Sequence, residues 1–177
     1  MPLCFAFGGF WDLPFGPGHA LLHDGWASHL VGHWQTSAIY QVQSGLPFSV
    51  NLSFDNANAG TANIPNRICN GNIANRSLQE WFNTSCFVAQ PEYTFGNEGR
   101  NTLIGPGRNN VDFALHRAFP IPRWEPGQVE FRAEAYNLFN HPQFGLPGTT
   151  VGNPGVGIIS GTAVPNRELQ LALRLTF

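Results

Sequence analysis

Along this chain apolar residues recur at every second position in five separate stretches, a period that belongs to strands rather than helices. The clearest stretch is the last, where Leu169, Leu171, Leu173, Leu175 and Phe177 alternate with Glu168, Gln170, Ala172, Arg174 and Thr176. From Trp34 the even positions run Trp34, Thr36, Ala38, Tyr40, Val42, Ser44, Leu46, Phe48 and Val50, and the odd positions include Gln35, Ser37, Gln41, Gln43, Ser49 and Asn51. Val111, Phe113, Leu115 and Phe119 are set against Asn110, Asp112 and His116, and Arg117 breaks the pattern on the apolar side. Val129, Phe131, Ala133 and Ala135 alternate with Glu130, Arg132 and Glu134, while Leu3, Phe5, Phe7, Trp11, Leu13 and Phe15 share one parity at the start. The pattern predicts an all-β antiparallel meander with strands at about 2–15, 34–50, 109–119, 128–140 and 167–177.

The polar sides of these strands decide between two architectures. A soluble β-sandwich alternates in the same way but turns its apolar side inward, against a second sheet. Here the other side carries Gln, Glu, Arg and Asn, suited to a hydrated lumen, and the ten residues Glu168–Phe177 match the ~9–11 that a tilted strand needs to cross a bilayer. Trp11, Phe15, Trp34, Phe119 and Trp124, with Phe177, fall near one rim, as the aromatic girdle of an outer-membrane barrel requires. Residues 120–127 then make a short periplasmic turn, and 51–107 and 141–166 become external loops, the first of them long. The 16–33 connection is longer than a periplasmic turn should be.

Composition strengthens the membrane reading. Only 11% of residues are charged and 13% are aromatic, and all nine basic residues are Arg. A soluble surface draws on about 25% charged residues. The formal net charge of −2 offers no pull toward nucleic acid, and no partner of that kind is expected. No apolar run approaches the ~18–20 residues of a transmembrane helix. Met1 to Phe10 reads as strand sequence rather than a signal peptide, so the chain is expected to continue upstream.

Several motifs then resemble the C-terminal barrel strands of Oar-like TonB-dependent receptors. They are Trp11–Gly16 (WDLPFG), Gln43–Phe48 (QSGLPF), Pro65–Arg67 (PNR), Trp81–Phe87 (WFNTSCF), Phe95–Asn101 (FGNEGRN), Gly105–Gly107 (GPG), Phe131–Gly145 (FRAEAYNLFNHPQFG) and the terminal Arg167–Phe177. Receptors of this type often carry an N-terminal carboxypeptidase-regulatory-like domain. The resemblance implies a 22-stranded barrel with a plug, of which this chain supplies about five strands as an open segment, the plug and N-terminal domains being absent. It also implies energised uptake of a large or scarce ligand, with TonB engaged only through the absent part. The Leu169, Leu171, Leu173, Leu175 and Phe177 series resembles the signal read by the outer-membrane barrel assembly machinery.

Candidate chemistry changes this picture little. His19, His23, His29 and His33 recur at spacings of four to six, yet no Cys or carboxylate completes a known zinc pattern, and a His-rich polar turn is the simpler account. His141, before Pro142, is expected to shape a turn. Glu130 and Glu134 flank Arg132 as compensated lumen charges. No nucleophile elbow, HExxH or phosphate loop occurs, so neither an enzyme nor a cofactor is expected. Cys69 and Cys86 share the long loop, where a disulfide and two free thiols are both open outcomes; Cys4 is expected to stay unpaired. Within that loop Trp81, Phe82, Tyr93 and Phe95 are the candidate ligand-contacting residues. The expected setting is the outer membrane of a Gram-negative-type bacterium, with its lipid as partner and the ligand unknown. The rival reading is a secreted soluble β-sandwich that binds or adheres.

Overall fold

A computed structural model describes every residue except Met1, His23, Ala62 and residues 123–126. His23 of the histidine series and Trp124 of the expected girdle therefore lie outside the described residues. The chain divides into two compact units. One comprises residues 5–42, 109–141 and 165–177, and the other residues 1–4, 43–108 and 142–164.

The first unit is a five-stranded sheet. Its strands are β1 (Cys4–Asp12), β2 (Gln35–Gln43), β3 (Arg108–Pro120), β4 (Gln128–Tyr136) and β5 (Glu168–Thr176). They lie side by side in sequence order, so the sheet is an antiparallel meander, and β1 and β5 form its open edges. Apolar residues fall into register across it. Leu169, Leu171, Leu173 and Leu175 pair with Ala135, Ala133, Phe131 and Val129, which in turn face Phe113, Leu115, Arg117 and Phe119 on β3. Backbone bonds from Leu13 to Trp34 (2.8 Å) and from Ser44 to Leu3 (2.9 Å) fix the β1–β2 register at its two ends. Since side chains of paired residues project to the same side, the apolar parities make one continuous face and the polar parities the other.

Both early strands are shorter than the alternation predicts. β1 stops at Asp12 instead of residue 15, because Pro14 cannot donate to a ladder and the chain turns back through Phe15. β2 stops at Gln43 instead of residue 50; Pro47–Phe48 pairs instead with Leu103–Ile104 in the second unit. β4 ends at Tyr136 rather than 140, where Asn137 and Asn140 adopt positive φ of 51° and 52° and bend the chain into a turn.

One helix, α1 (Trp26–Val31), interrupts the β1–β2 connection, which the strand pattern leaves as a loop. Gly16 and Gly32 let this connection fold on itself: a Cβ on Gly32 would stand 2.8 Å from the Cα of Gly16.

The second unit has a conventional core. Phe48, Val50, Phe82, Cys86, Phe87 and Leu103 are buried together, with Trp81, Val151 and Val156 packed against them. Its regular structure consists of two- and three-residue pairings: Asn66–Arg67 with Phe87–Val88, Gln143–Phe144 with Thr162–Val164, and the parallel pair Asn51–Leu52 with Thr150–Val151. Cys69 and Cys86 are joined by a disulfide, and Cys4 is free and exposed.

Candidate functional site

Two surfaces merit attention, the faces of the sheet and the exposed side of the loop unit. On the sheet, Leu169, Leu171 and Leu173 are each 73% exposed, and Phe5, Phe7 and Trp11 on the opposite edge are 57–64% exposed. Among the described residues no second sheet covers them, which removes the packing a soluble sandwich depends on. In water such a face would be an aggregation surface. Four of the strands have nine residues. At about 3.3 Å per residue and a tilt of about 40°, nine residues rise roughly 23 Å, close to the ~25 Å apolar band of an outer-membrane barrel. Among the described residues no helix is long and apolar enough to cross a membrane.

The opposite parity is largely polar, with Phe10 and Ile39 as exposed apolar exceptions, and its charges are compensated on β4. Arg132 pairs with Glu134 at 3.0 Å, and Glu134 accepts a bond from the Tyr136 hydroxyl at 3.1 Å. In register, Arg174 faces Glu130, an opposite-charge pair across neighbouring strands.

A matching family model settles what this two-faced sheet belongs to. Residues 2–170 match the model of an outer membrane beta barrel domain. The chain belongs to that family. Such a barrel places this protein in the bacterial outer membrane, and the secreted sandwich is set aside. No curated protein and no solved structure matches the chain.

Within the barrel segment the rim aromatics group at the strand ends Asp12, Gln35, Pro120 and Thr176. Trp34 meets the rings of Phe119 and Phe131 edge-on at 6.4 and 5.9 Å, while Trp11 is exposed at the end of β1 and Phe15 bridges to Leu21 in the connection beyond it. Phe177 is 80% exposed at the end of β5. His19 and His33 stack edge to face at 5.4 Å, beside Asp12 in a cavity of about 250 Å³. Among the described residues no group of three or more His, Cys, Asp or Glu is placed to hold a metal.

The motifs that carry the resemblance turn out to hold backbone. Asn66 and Asn97 latch two of them: the Arg67 N–H donates to the Asn97 side chain (2.7 Å) and the Asn97 N–H to that of Asn66 (3.1 Å). Gly96 is required at this latch, since a Cβ there would fall 2.2 Å from the Ile64 carbonyl. Buried Glu98 in the same motif lies 3.8 Å from Arg67 and accepts from the Thr102 hydroxyl. Asn137, buried after β4, donates to the carbonyls of His141 (3.0 Å) and Pro165 (3.3 Å) and accepts the His141 N–H (3.0 Å). Asp112 accepts the Asn137 N–H at 2.9 Å, so the turn is tied to β3 as well. His141 takes part through its backbone in a turn that Asn137 organises.

The candidate ligand residues divide. Tyr93 and Phe95 are 76% and 75% exposed on the loop unit. Phe82 is corrected: it is 1% exposed and packs against Phe48 and Phe87 at 5.7 and 5.5 Å, so it is core and cannot touch a ligand. Trp81 is half-buried; its indole N–H bonds the Ile104 carbonyl (2.9 Å) and Arg76 lies over its ring (5.4 Å), which commits it to structure too. Sequence reasoning passed over Glu98 and Asn137, and the pair Asn63 and Gln90, bonded at 3.1 Å inside the loop unit. Their only signal was the density of Asn in loops that otherwise look irregular.

Proposed function

We propose that this barrel segment belongs to a TonB-dependent receptor, in which the apolar face meets outer-membrane lipid and the loop unit takes part in capturing a large or scarce ligand. One observation carries the reading: the connections after β2 and β4 fold into a unit with its own core and disulfide, and that unit displays Tyr93 and Phe95 to solvent. A barrel that only passes small solutes has no use for exposed aromatics on a rigid mount, whereas a receptor needs a preorganised, apolar contact surface. Energy would reach such a receptor through TonB acting on a plug. The β5 series ending in Phe177 serves as the signal for the barrel assembly machinery. The reading assigns the chain no catalysis.

The test compares spent growth medium by mass spectrometry from the parental strain, a strain lacking this gene and a strain lacking TonB. The same solute should persist in the medium of both mutants. Restoring the gene with Tyr93→Ala and Phe95→Ala together should leave uptake of that solute about tenfold weaker at low concentration. Depletion by the gene-deletion strain at the parental rate would overturn the receptor reading.

A further inference from the structure

The β1–β2 connection carries a device that a barrel wall by itself does not need. Arg117 lies in register with Phe131, on the apolar parity of the sheet, where a charge facing lipid is unfavourable by an amount that falls from about 2–4 kcal/mol at the bilayer midplane to about 0–1 kcal/mol near the interface. It is nevertheless only 7% exposed. Its guanidinium donates to the carbonyl of Leu30 (2.6 Å) and to that of His29, both in the last turn of α1. The same group stacks on Phe119 at 4.3 Å and on Trp34 at 5.8 Å. Cation, carbonyls and rings therefore clamp α1 onto the apolar face, three residues from the end of β3.

The helix then turns its own apolar residues away from the sheet. Ser28 is buried and bonds the Gly25 carbonyl (2.7 Å), whereas Trp26 and Leu30, one turn apart, are 78% and 60% exposed. Leu21 and Leu22 just before it are 51% and 54% exposed. A polar connection would leave water-seeking side chains here. This one presents an indole and three leucines.

We propose that α1 and the preceding Leu21–Leu22 pair form a membrane-interface anchor, lying on the outside of the barrel at its β1–β2 rim with Trp26 and Leu30 in the headgroup–acyl boundary. The occupant is lipid because Arg117, on the apolar parity of the sheet, holds the end of α1 beside the rim rings of Trp34 and Phe119, and the helix there exposes Trp26 and Leu30. Indole is the side chain that favours this boundary, with an apolar body and one N–H donor. The Arg117 clamp has a definite task in this arrangement. It holds a six-residue helix, too short to persist alone, at a fixed depth. The inference rests on the lipid-facing assignment of the apolar parity, and the experiment separates the two.

In outer membranes from cells making the protein, single nitroxide labels go onto Trp26→Cys, Leu30→Cys, Leu171→Cys and Tyr93→Cys, each in a Cys4→Ser background. The disulfide-bonded pair does not react with the label. Spin-relaxation accessibility is read with oxygen, which partitions into lipid, and with a nickel chelate, which stays in water. Labels at 26 and 30 should show an oxygen-to-nickel ratio several-fold above that at 93 and below that at 171. Adding Arg117→Gln should move the ratio at 26 toward that at 93 while 171 is unchanged. A ratio at 26 and 30 equal to that at 93 overturns the anchor. So does shielding from both reagents, which means a protein partner, or dipolar broadening, which means a second copy. A water-like ratio at 171 overturns the lipid-facing assignment itself.

Discussion

The two units of this chain bury opposite kinds of residue. In the loop unit the buried side chains include Phe48, Val50, Leu52, Phe82, Phe87 and Leu103, and among its buried polar groups Asn63 and Gln90 bond each other. In the sheet unit the buried side chains include Ser28, Arg117 and Asn137, while its leucines and phenylalanines stand outside. The loop unit is built for water, by removing apolar surface from it. The sheet is built for a medium that takes apolar surface willingly but disfavours unpaired polar groups, and its buried cation and amide are given carbonyl partners, Leu30 and His29 for Arg117, His141 and Pro165 for Asn137. One chain thus obeys two solvents.

The contrast can be broken from the loop side first. Phe82→Ala removes a ring from the centre of the loop core and should cost about 3–5 kcal/mol there. Limited proteolysis of outer membranes should show rapid cleavage within 53–100 while β4 and β5 remain protected. Equal loss of strand protection would mean that the two units do not obey separate rules. From the sheet side, Leu171→Arg places a charge in the middle of the exposed apolar row and should cost about 2–4 kcal/mol. Less protein should then reach the heat-modifiable, folded form on cold gels, whereas Ala172→Arg on the polar parity should leave that fraction near the parental level. A smaller effect is expected from pH. The Asp55 carboxyl is held below its ordinary 3.8, chiefly by the Ala59 N–H and also by that of Gly60. Because the folded value is lowered, the stabilisation is complete above the ordinary carboxylate range and is lost as pH falls through the lowered value. Amide protection at Ala59 and Gly60 should therefore drop between about pH 6 and about pH 3, and Asp55→Asn should remove that dependence.

What could be read in the sequence follows from the same division. Strands β3, β4 and β5 were legible to within a few residues because a sheet between lipid and lumen must alternate, and nothing else competes with that period. β2 was extended too far because Leu46, Phe48 and Val50 keep the parity after the strand has ended; the burial of Phe48 and Val50 serves the other unit. The loop core left no period at all. Phe82 looked like a binding aromatic because its partners Phe48 and Phe87 are set by distant chain, not by spacing. Arg117 was visible as a break in the pattern, but its partners Leu30 and His29 lie nearly ninety positions away, and α1 is too short to announce itself.

The parallel pairing of Asn51–Leu52 with Thr150–Val151 joins residues about a hundred positions apart. Its consequence is one of timing. β3 and β4 can zip by local contacts as soon as they emerge, but the core around Val50 stays open until Val151 and Val156 arrive from beyond β4. The loop unit is thus a late-closing structure, and until that closure its phenylalanines and its two thiols are the part of the chain most exposed to chaperones and oxidants.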